Sequence, residues 1–371
     1  MKGKKRVIVL GATGSIGDSS LDVIRSNPDS FTVAALSAHS DGVALSALKA
    51  EFPGASAVLS GTEGESALLD MIRDTDADIV VNGIAGSSGL LPSVAALESG
   101  KDLALANKET IVMAGPLVRS LASRAGRSLL PVDSEHSAVF SLIGAYGHEA
   151  VSEVILTASG GPFRTWDEGR IRAATPADAL KHPTWSMGSK ITIDSASLAN
   201  KGLEVIEAVR LFDLSPDSVK VVVHPESLVH SFVRTRDGVL YAQVSHPDMR
   251  HPILSALFWP EQSDNDLRPL TFDEAFDMHF EPPRRDAFPM LGLAYRAASL
   301  GCLYTVCYNA ANEIAVERFL AGSLPFGGIA ELVAKVMDDD WSTEPTSFED
   351  ILEADRRARG NARQYVKERS W

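Results

Sequence analysis

"RVIVLGATGSIG", residues 6–17, decides the fold of the N-terminal part of this chain. Val7 to Leu10 is a continuous apolar run of the kind that forms a parallel strand buried on both faces. Glycines follow at 11, 14 and 17, and the next stretch has a helical pattern that Asn27-Pro28 stops. Strand, glycine turn and helix in that order make a phosphate cradle. Glycine permits the tight turn, and backbone N–H groups at the helix N-terminus can approach a pyrophosphate. The spacing is G-x-x-G-x-x-G, not the commoner G-x-G-x-x-G, so a tight turn without ligand is the competing reading. The second strand, "FTVAAL" at 31–36, ends in Ser37-Ala38-His39-Ser40, with Asp41 only later. An acid closing that strand would hold a ribose 2′-hydroxyl and favour NAD. Its absence there allows NADP, although no Arg or Lys announces a 2′-phosphate.

Working outward, "ADIVVNGI" (77–84) and "DLALAN" (102–107) read as further strands between helical segments. This alternation predicts an α/β chain with an N-terminal Rossmann-like, doubly wound sheet over 1–133. From residue 151 the pattern changes. "SEVILTAS", "KVVVHP", "SLVHSFVRT" and "VLYAQVS" read as strands of a mixed or antiparallel sheet, with a helix near 200–212. A central α+β domain is expected over 134–260. Residues 261–285 are acidic and proline-containing and read as a linker. "FPMLGLAYRAASL", "NAANEIAVERFLAG" and "IAELVAKVM" have a helical period, so 286–371 is expected to be a small helical domain.

With 371 residues, more than one domain is the default, and 45% apolar with 23% charged residues argues against disorder. The net charge of −14 and the lack of a basic stripe make nucleic acid an unexpected partner. An anionic substrate would need local positive charge. Two cysteines, Cys302 and Cys307, supply no disulfide framework, and a reducing cytoplasmic setting fits best. The apolar run behind the basic start "MKGKKR" is too short for a secretion signal, and no run is long enough for a membrane span.

Two acidic stretches carry the chemistry. In "PVDSEHSAV" (131–139) an apolar run ends in Asp133 and Glu135. An extended chain would send both carboxylates to one side, where they repel unless a proton or cation lies between them. Solvated loop acids are the competing reading. In "IDSASLANKGLEVIEA" (193–208), Ser195, Asn200 and Lys201 offer hydroxyl, amide and ammonium groups suited to a phosphate. Glu204 shares their helix face, by its spacing of four and three from Asn200 and Lys201. A capped, solvated helix start is the blander alternative and is favoured on this stretch alone. "ASGGPF" (158–163) is a turn able to present Ser159, and "KHPTWSMGSK" (181–190) suits a mobile lid carrying Trp185 and Met187. His182 taken alone reads as structural.

Together "GATGSIG", "ANKE", "PVDSEH", "SGGPF", "HPTWSMG", "DSASLANKGLE" and "NAANEIAV", in one order from about residue 5 to 320, resemble the 1-deoxy-D-xylulose 5-phosphate reductoisomerase family. The resemblance implies conversion of 1-deoxy-D-xylulose 5-phosphate to 2-C-methyl-D-erythritol 4-phosphate, in the non-mevalonate isoprenoid pathway, with NADPH and Mg²⁺ or Mn²⁺. It also implies a homodimer, with catalysis, dimerisation and the flap in the central domain. Carried over position by position, the metal ligands are Asp133, Glu135 and Glu204, which with Lys108 form the catalytic set. Substrate contacts fall on Lys108, Ser134, Glu135, Ser159, His182, Trp185, Ser195, Asn200, Lys201 and Glu204. The phosphate is assigned to Ser159, Ser195, Asn200 and Lys201. Cofactor contacts fall on Gly11, Thr13, Gly14, Ser15 and Ile16, on His39, Ser40 and Asp41, and on Asn107, Glu109 and Gly188. The implied reaction is skeleton migration to an aldehyde followed by hydride reduction. The family route is retro-aldol and aldol; the residues themselves leave a direct ketol shift open. The sequence departs from the family pattern at His39-Ser40-Asp41, where relatives often carry a basic or amide residue. A homoserine or semialdehyde dehydrogenase is the rival enzyme; the acylating semialdehyde kind needs a nucleophilic cysteine beside the nicotinamide and is disfavoured, because both cysteines fall in the predicted helical tail. A non-catalytic dinucleotide sensor is the rival of another class, and would not need the three carboxylates.

Overall fold

The computed structural model describes residues 3–181 and 187–368. In chain order the elements are β1 (Lys5–Leu10), α1 (Ser15–Ser26), β2 (Phe31–Ala38), α2 (Gly42–Glu51), β3 (Ser56–Leu59), α3 (Ser60–Asp74), β4 (Ile79–Asn82), α4 (Leu90–Glu98), β5 (Asp102–Leu105), α5 (Lys108–Ala125), β6 (Leu129–Pro131) and α6 (Ser134–Tyr146). There follow β7 (Val151–Ala158), α7 (Glu168–Arg172), α8 (Pro176–Ala179), α9 (Ser189–Ala196), α10 (Ala199–Leu211), β8 (Val219–Val223), β9 (Val229–Thr235), β10 (Leu240–Val244) and α11 (Arg250–Phe258). The C-terminal helices are α12 (Pro289–Leu300), α13 (Tyr304–Leu320), α14 (Phe326–Met337) and α15 (Phe348–Glu368).

The chain divides into two compact units. The first comprises Met1–Thr110, Val118–Ser137 and Asp248–Pro269. Its sheet has the order β3-β2-β1-β4-β5-β6, and every pairing is parallel. This is the doubly wound arrangement expected, with the order reversing between β1 and β4, where such sheets bind ligands. Val7 to Leu10 and Ile79 to Val81 are buried, as a parallel sheet covered on both faces requires.

The second unit comprises Ile111–Leu117, Ala138–Pro247 and Leu270–Trp371. Its mixed sheet has the order β10-β9-β7-β8, with β7 antiparallel to β9 and parallel to β8. These bounds differ from the expected domains: Ile111–Leu117 falls in the second unit, and the expected linker is divided between the two. Two further differences have a packing reason. Residues 248–269 return to the first unit because α11 docks there. The Phe258 ring meets Phe31 edge-on, with centroids 4.8 Å apart, and the Lys5 ammonium donates to the carbonyls of Leu257 and Trp259 at 3.0 and 2.9 Å. The C-terminal helices share a unit with the mixed sheet because α12 and α13 pack directly on α10.

Glycine makes that last contact close. A Cβ on Gly202 would lie 2.6 Å from the Tyr308 hydroxyl and 2.7 Å from Ala294 Cβ, both buried. Arg210, near the end of α10, resolves a defect in α5. Pro116 has no N–H to give the Val112 carbonyl, and the helix kinks at Ala114 (φ −131°). Arg210 donates instead to the carbonyls of Val112 and Met113, at 3.1 and 3.2 Å, and to that of Cys302 at 3.2 Å. Gly202→Ala should therefore force α10 away from α12 and α13 and cost about 1–3 kcal/mol of stability. Chemical denaturation of the variant reads this as a lower midpoint; an unchanged midpoint contradicts the close approach.

Candidate active site

The first unit builds a dinucleotide turn. Gly11 leaves β1 with φ +72°, and a Cβ on Gly17 would sit 2.4 Å from the Gly11 carbonyl oxygen, so the first turn of α1 folds directly onto the glycine loop. No side chain caps α1; Gly14 occupies the cap position, and Gly14 and Ser15 are exposed, with Thr13 and Ile16 beside them half-buried. The helix end thus offers backbone rather than side chains to a ligand.

At the end of β2, His39, Ser40 and Asp41 are all exposed. The Asp41 carboxylate is engaged as the cap of α2, accepting from the Ala44 N–H at 2.9 Å. The His39 ring nitrogen Nδ1 lies 3.3 Å from the Ser60 hydroxyl. Asn107 and Glu109, expected at the cofactor, point into the fold with their side chains. Asn107 caps α5, accepting from the Thr110 N–H at 3.0 Å, and its amide donates to the carbonyls of Ile84 and Gly86, both at 2.8 Å, and to Glu109 at 3.0 Å. The Asn107 amide thus ties down the loop that follows β4, with Glu109 bonded to it.

Next to them, the Lys108 ammonium lies 2.5 Å from Asp133 Oδ2, with both side chains largely buried. The extended geometry expected for 133–135 is not what forms. The Asp133 carbonyl accepts from the Ser137 N–H at 2.8 Å and α6 begins at Ser134, so Glu135 lies in a first helical turn. Negative side chains are favoured at that end of a helix. The Ser134 hydroxyl donates to the Glu135 carboxylate.

The second unit holds the other half of the predicted residues. Gly160 and Gly161 have φ of +85° and +66°, and a Cβ at 161 would lie 2.7 Å from the Ser195 carbonyl oxygen. Glycine at 161 is what lets the turn carrying Ser159 rest on α9. Leu198 then adopts a left-handed conformation (φ 59°) and α10 starts immediately, with Asn200 and Lys201 in its first turn. The Asn200 amide donates to Glu204 Oε1 at 2.6 Å, and the Lys201 ammonium pairs with Glu204 Oε2. Lys201 is 4% exposed and Glu204 1%, so this is no solvated helix start: a buried acid, ammonium and amide share one helix face. Beside Ser159 opens a cleft of about 430 Å³ bordered by Arg164, Trp166, Arg170 and Lys181, with the Arg170 guanidinium 3.6 Å over the Trp166 ring. Gly188 is exposed and caps α9. His182 and Trp185, with the part of the expected lid at 182–186, lie outside the described residues.

The sequence reading missed Lys190, Asp194 and Asn312, which form a chain of polar contacts behind Ser195. The spacing of four between Lys190 and Asp194 on a helix was the available signal. Cys302 is half-buried and Cys307 buried; burial pushes the Cys307 thiol far up, which makes it a poor nucleophile. Among the described residues no helix is long and apolar enough to cross a membrane.

The family model described as 1-deoxy-D-xylulose 5-phosphate reductoisomerase matches residues 7–63 and 40–115, and its C-terminal domain model matches 129–212. A further model, described as the DXP reductoisomerase C-terminal domain, matches 244–361 and so extends past the point, near residue 320, where the recognisable motifs fade. The 1-deoxy-D-xylulose 5-phosphate reductoisomerase of Treponema denticola is 47% identical over 368 residues, covering 97% of each chain. That of Rhodococcus jostii is 45% identical, covering 98% of this chain and 94% of its own. A crystal structure of DOX-P reductoisomerase in complex with NADPH, fosmidomycin and magnesium superposes with a TM-score of 0.90 at 37% identity, over 98% of both chains. The Zymomonas mobilis enzyme in complex with NADPH gives 0.87 at 37% identity, over 99% of both. Alike over its whole length in sequence and in fold, this chain belongs to the 1-deoxy-D-xylulose 5-phosphate reductoisomerase family.

Proposed function

We propose that this chain rearranges and reduces 1-deoxy-D-xylulose 5-phosphate to 2-C-methyl-D-erythritol 4-phosphate, using NADPH and Mg²⁺ or Mn²⁺, in the non-mevalonate isoprenoid pathway. The observation that carries this reading is the buried face of α10, where Asn200, Lys201 and Glu204 present an amide, an ammonium and a carboxylate together. A sensor that only bound a dinucleotide would have no use for buried charge in its second unit.

Asp133, Glu135 and Glu204 would hold the divalent ion. All are hard oxygen donors, which suits Mg²⁺ or Mn²⁺ and not a soft metal. When bound, that ion supplies Lewis acidity to the substrate oxygens and NADPH supplies the hydride. Lys108 orients the Asp133 carboxylate, and Ser134 does the same for Glu135. Ser159, Ser195, Asn200 and Lys201 would take the phosphate, His182 would contact the substrate, and Trp185 would cover it. The coenzyme would lie along Gly11, Thr13, Gly14, Ser15 and Ile16, where an uncapped helix end and exposed backbone fit a pyrophosphate. Asn107 and Glu109 would shape its site through the loop they hold, and Gly188 would complete it. His39 and Ser40 would meet the 2′-phosphate. Asp41, whose carboxylate caps α2, claims no ribose hydroxyl. Two free thiols suit a reducing cytoplasm. A homodimer is supported by β10, which ends the mixed sheet and exposes Leu240 and Val244.

The direct test is NADPH oxidation with 1-deoxy-D-xylulose 5-phosphate and Mn²⁺, with fosmidomycin as inhibitor. Turnover should require both substrate and metal, and EDTA should abolish it. Glu204→Gln should lower kcat by orders of magnitude. Near-normal kcat in that variant would remove Glu204 from the ligand set.

Lys201→Ala should raise KM for the phosphorylated substrate. A charge-assisted contact of about 1.5–3 kcal/mol corresponds to roughly ten- to hundredfold. The same change leaves Glu204 buried without its ammonium, so thermal stability should fall as well. An unchanged KM would assign Lys201 to folding alone.

Coenzyme choice is tested by kcat/KM for NADPH and NADH. Wild type should prefer NADPH, and Ser40→Lys should strengthen that preference while leaving NADH almost untouched. A wild-type preference for NADH overturns the coenzyme assignment and leaves the metal site standing.

A further inference from the structure

Behind the proposed phosphate grip, one buried carboxylate ties two helices together. Asp194 on α9 is 1% exposed. Its Oδ1 accepts from the amide of Asn312 on α13 at 2.8 Å, and its Oδ2 lies 3.0 Å from the ammonium of Lys190, one turn earlier on α9. Asn312 is fully buried, as is Tyr308 one turn before it, whose hydroxyl donates to the Met290 carbonyl at 3.2 Å. The α13 helix is therefore a fixed floor beneath α9. Ser195 follows Asp194 directly, and its carbonyl is the point on which the Gly161 turn rests. A helix this short has little intrinsic stability, so tertiary contacts decide where it sits. From one side the Ser159 turn sets its position, and from the other the Asp194–Asn312 bond does.

We propose that Asp194 and Asn312 are positioning residues for substrate phosphate: they fix the depth and rotation of α9, and through it the placement of Ser195 against Ser159. This rests on the reading that Ser195 grips the phosphate. The two oxygens of Asp194 divide the work. The bond to Asn312 sets depth, since it joins different helices. The Lys190 pair lies within α9 and neutralises a carboxylate that would otherwise be buried with its charge uncompensated. Truncating either end of the Asp194–Asn312 bond lets α9 slide. Asp194→Asn keeps an oxygen facing Asn312 and so the bond between helices, while its amide N–H replaces the acceptor of the Lys190 ammonium and the Lys190 pair is lost.

The experiment compares Asp194→Ala, Asp194→Asn, Asn312→Ala, Ser195→Ala and the double variant Asn312→Ala/Ser195→Ala. Readouts are kcat, KM for 1-deoxy-D-xylulose 5-phosphate, KM for NADPH, thermal midpoint, and calorimetric binding of inorganic phosphate. Asn312→Ala should raise the substrate KM about tenfold or more, the scale on which supporting partners of a ligand-gripping group act. It should weaken phosphate binding in parallel and leave kcat and the NADPH KM near wild type. Asp194→Asn should recover most of that loss relative to Asp194→Ala. The double variant should be no worse in substrate KM than the worse single, because both changes disable one grip. A lower thermal midpoint with unchanged KM and phosphate affinity, or KM losses that multiply in the double variant, would overturn the proposal. If Asp194→Ala does not fold, Asn312→Ala and Asp194→Asn decide alone. If the wild type binds phosphate but does not turn over the substrate, the functional reading fails and the phosphate affinities still decide this one.

Discussion

Burying charge on α10 is the constraint on which much of the second unit depends. Lys201 and Glu204 are removed from water almost completely, and an ion stripped of water is costly unless paired and hydrogen-bonded. The Glu204 carboxylate meets that requirement within its own helix, with Asn200 on one oxygen and Lys201 on the other. Such a pair stays satisfied only if the helix is held still. That accounts for the tight seat at Gly202, where Tyr308 and Ala294 press against the opposite side, and for the short left-handed step at Leu198 that separates α9 from α10. Rigid support is what the proposed phosphate and metal site needs, since misplacement by about 1 Å can cost two orders of magnitude in rate.

Arg210 extends the same logic to the other end of α10. A proline inside α5 leaves carbonyls without helical partners, and a buried carbonyl without a donor is destabilising. The guanidinium satisfies three carbonyls at once, one of them beyond α12 at Cys302. Burial pulls its pKa down to about 10 from the ordinary 12.5, which still leaves it cationic at neutral pH. A kink that would be a defect in an isolated helix thus becomes a fastening between α5 and α10.

Much of this was legible in the sequence where a single period dominated. Val7–Leu10 and Ile79–Val81 are unmixed apolar runs, and they form the centre of the parallel sheet. The spacing of Asn200, Lys201 and Glu204 foretold their shared face, but spacing says nothing of burial, so the blander solvated reading looked better than it was. Residues 131–135 misled because an apolar run suggested that the extended chain continued, whereas the helix starts at Ser134. The helical domain was expected to run to residue 371, but no individual helix was named beyond Met337, and α15 explains why. It faces the core with Ile351 and small alanines at 354, 358 and 362, a weak apolar stripe in a strongly charged helix. Asp41 shows a different limit. An acid near the end of the second strand reads as a ribose ligand or a phosphate repellent, and only the observed bond to Ala44 assigns it to capping.

The overall charge of −14 opposes an anionic substrate and an anionic coenzyme, yet distance weakens that opposition. At physiological salt the Debye length is about 8 Å, so distant surface acids are largely screened and the local charges decide. Those local charges are mostly cationic around the cleft next to Ser159, where Arg164, Arg170 and Lys181 outnumber Asp178. Arg164 pairs with Glu281 at 2.5 Å, and Arg170 stacks on Trp166, so these cations are held in place, not swinging in solvent. A pre-placed cation loses little freedom when an anion arrives, which favours binding. An acidic protein can in this way keep the solubility that net charge provides and still receive phosphate, because the two effects act over different distances.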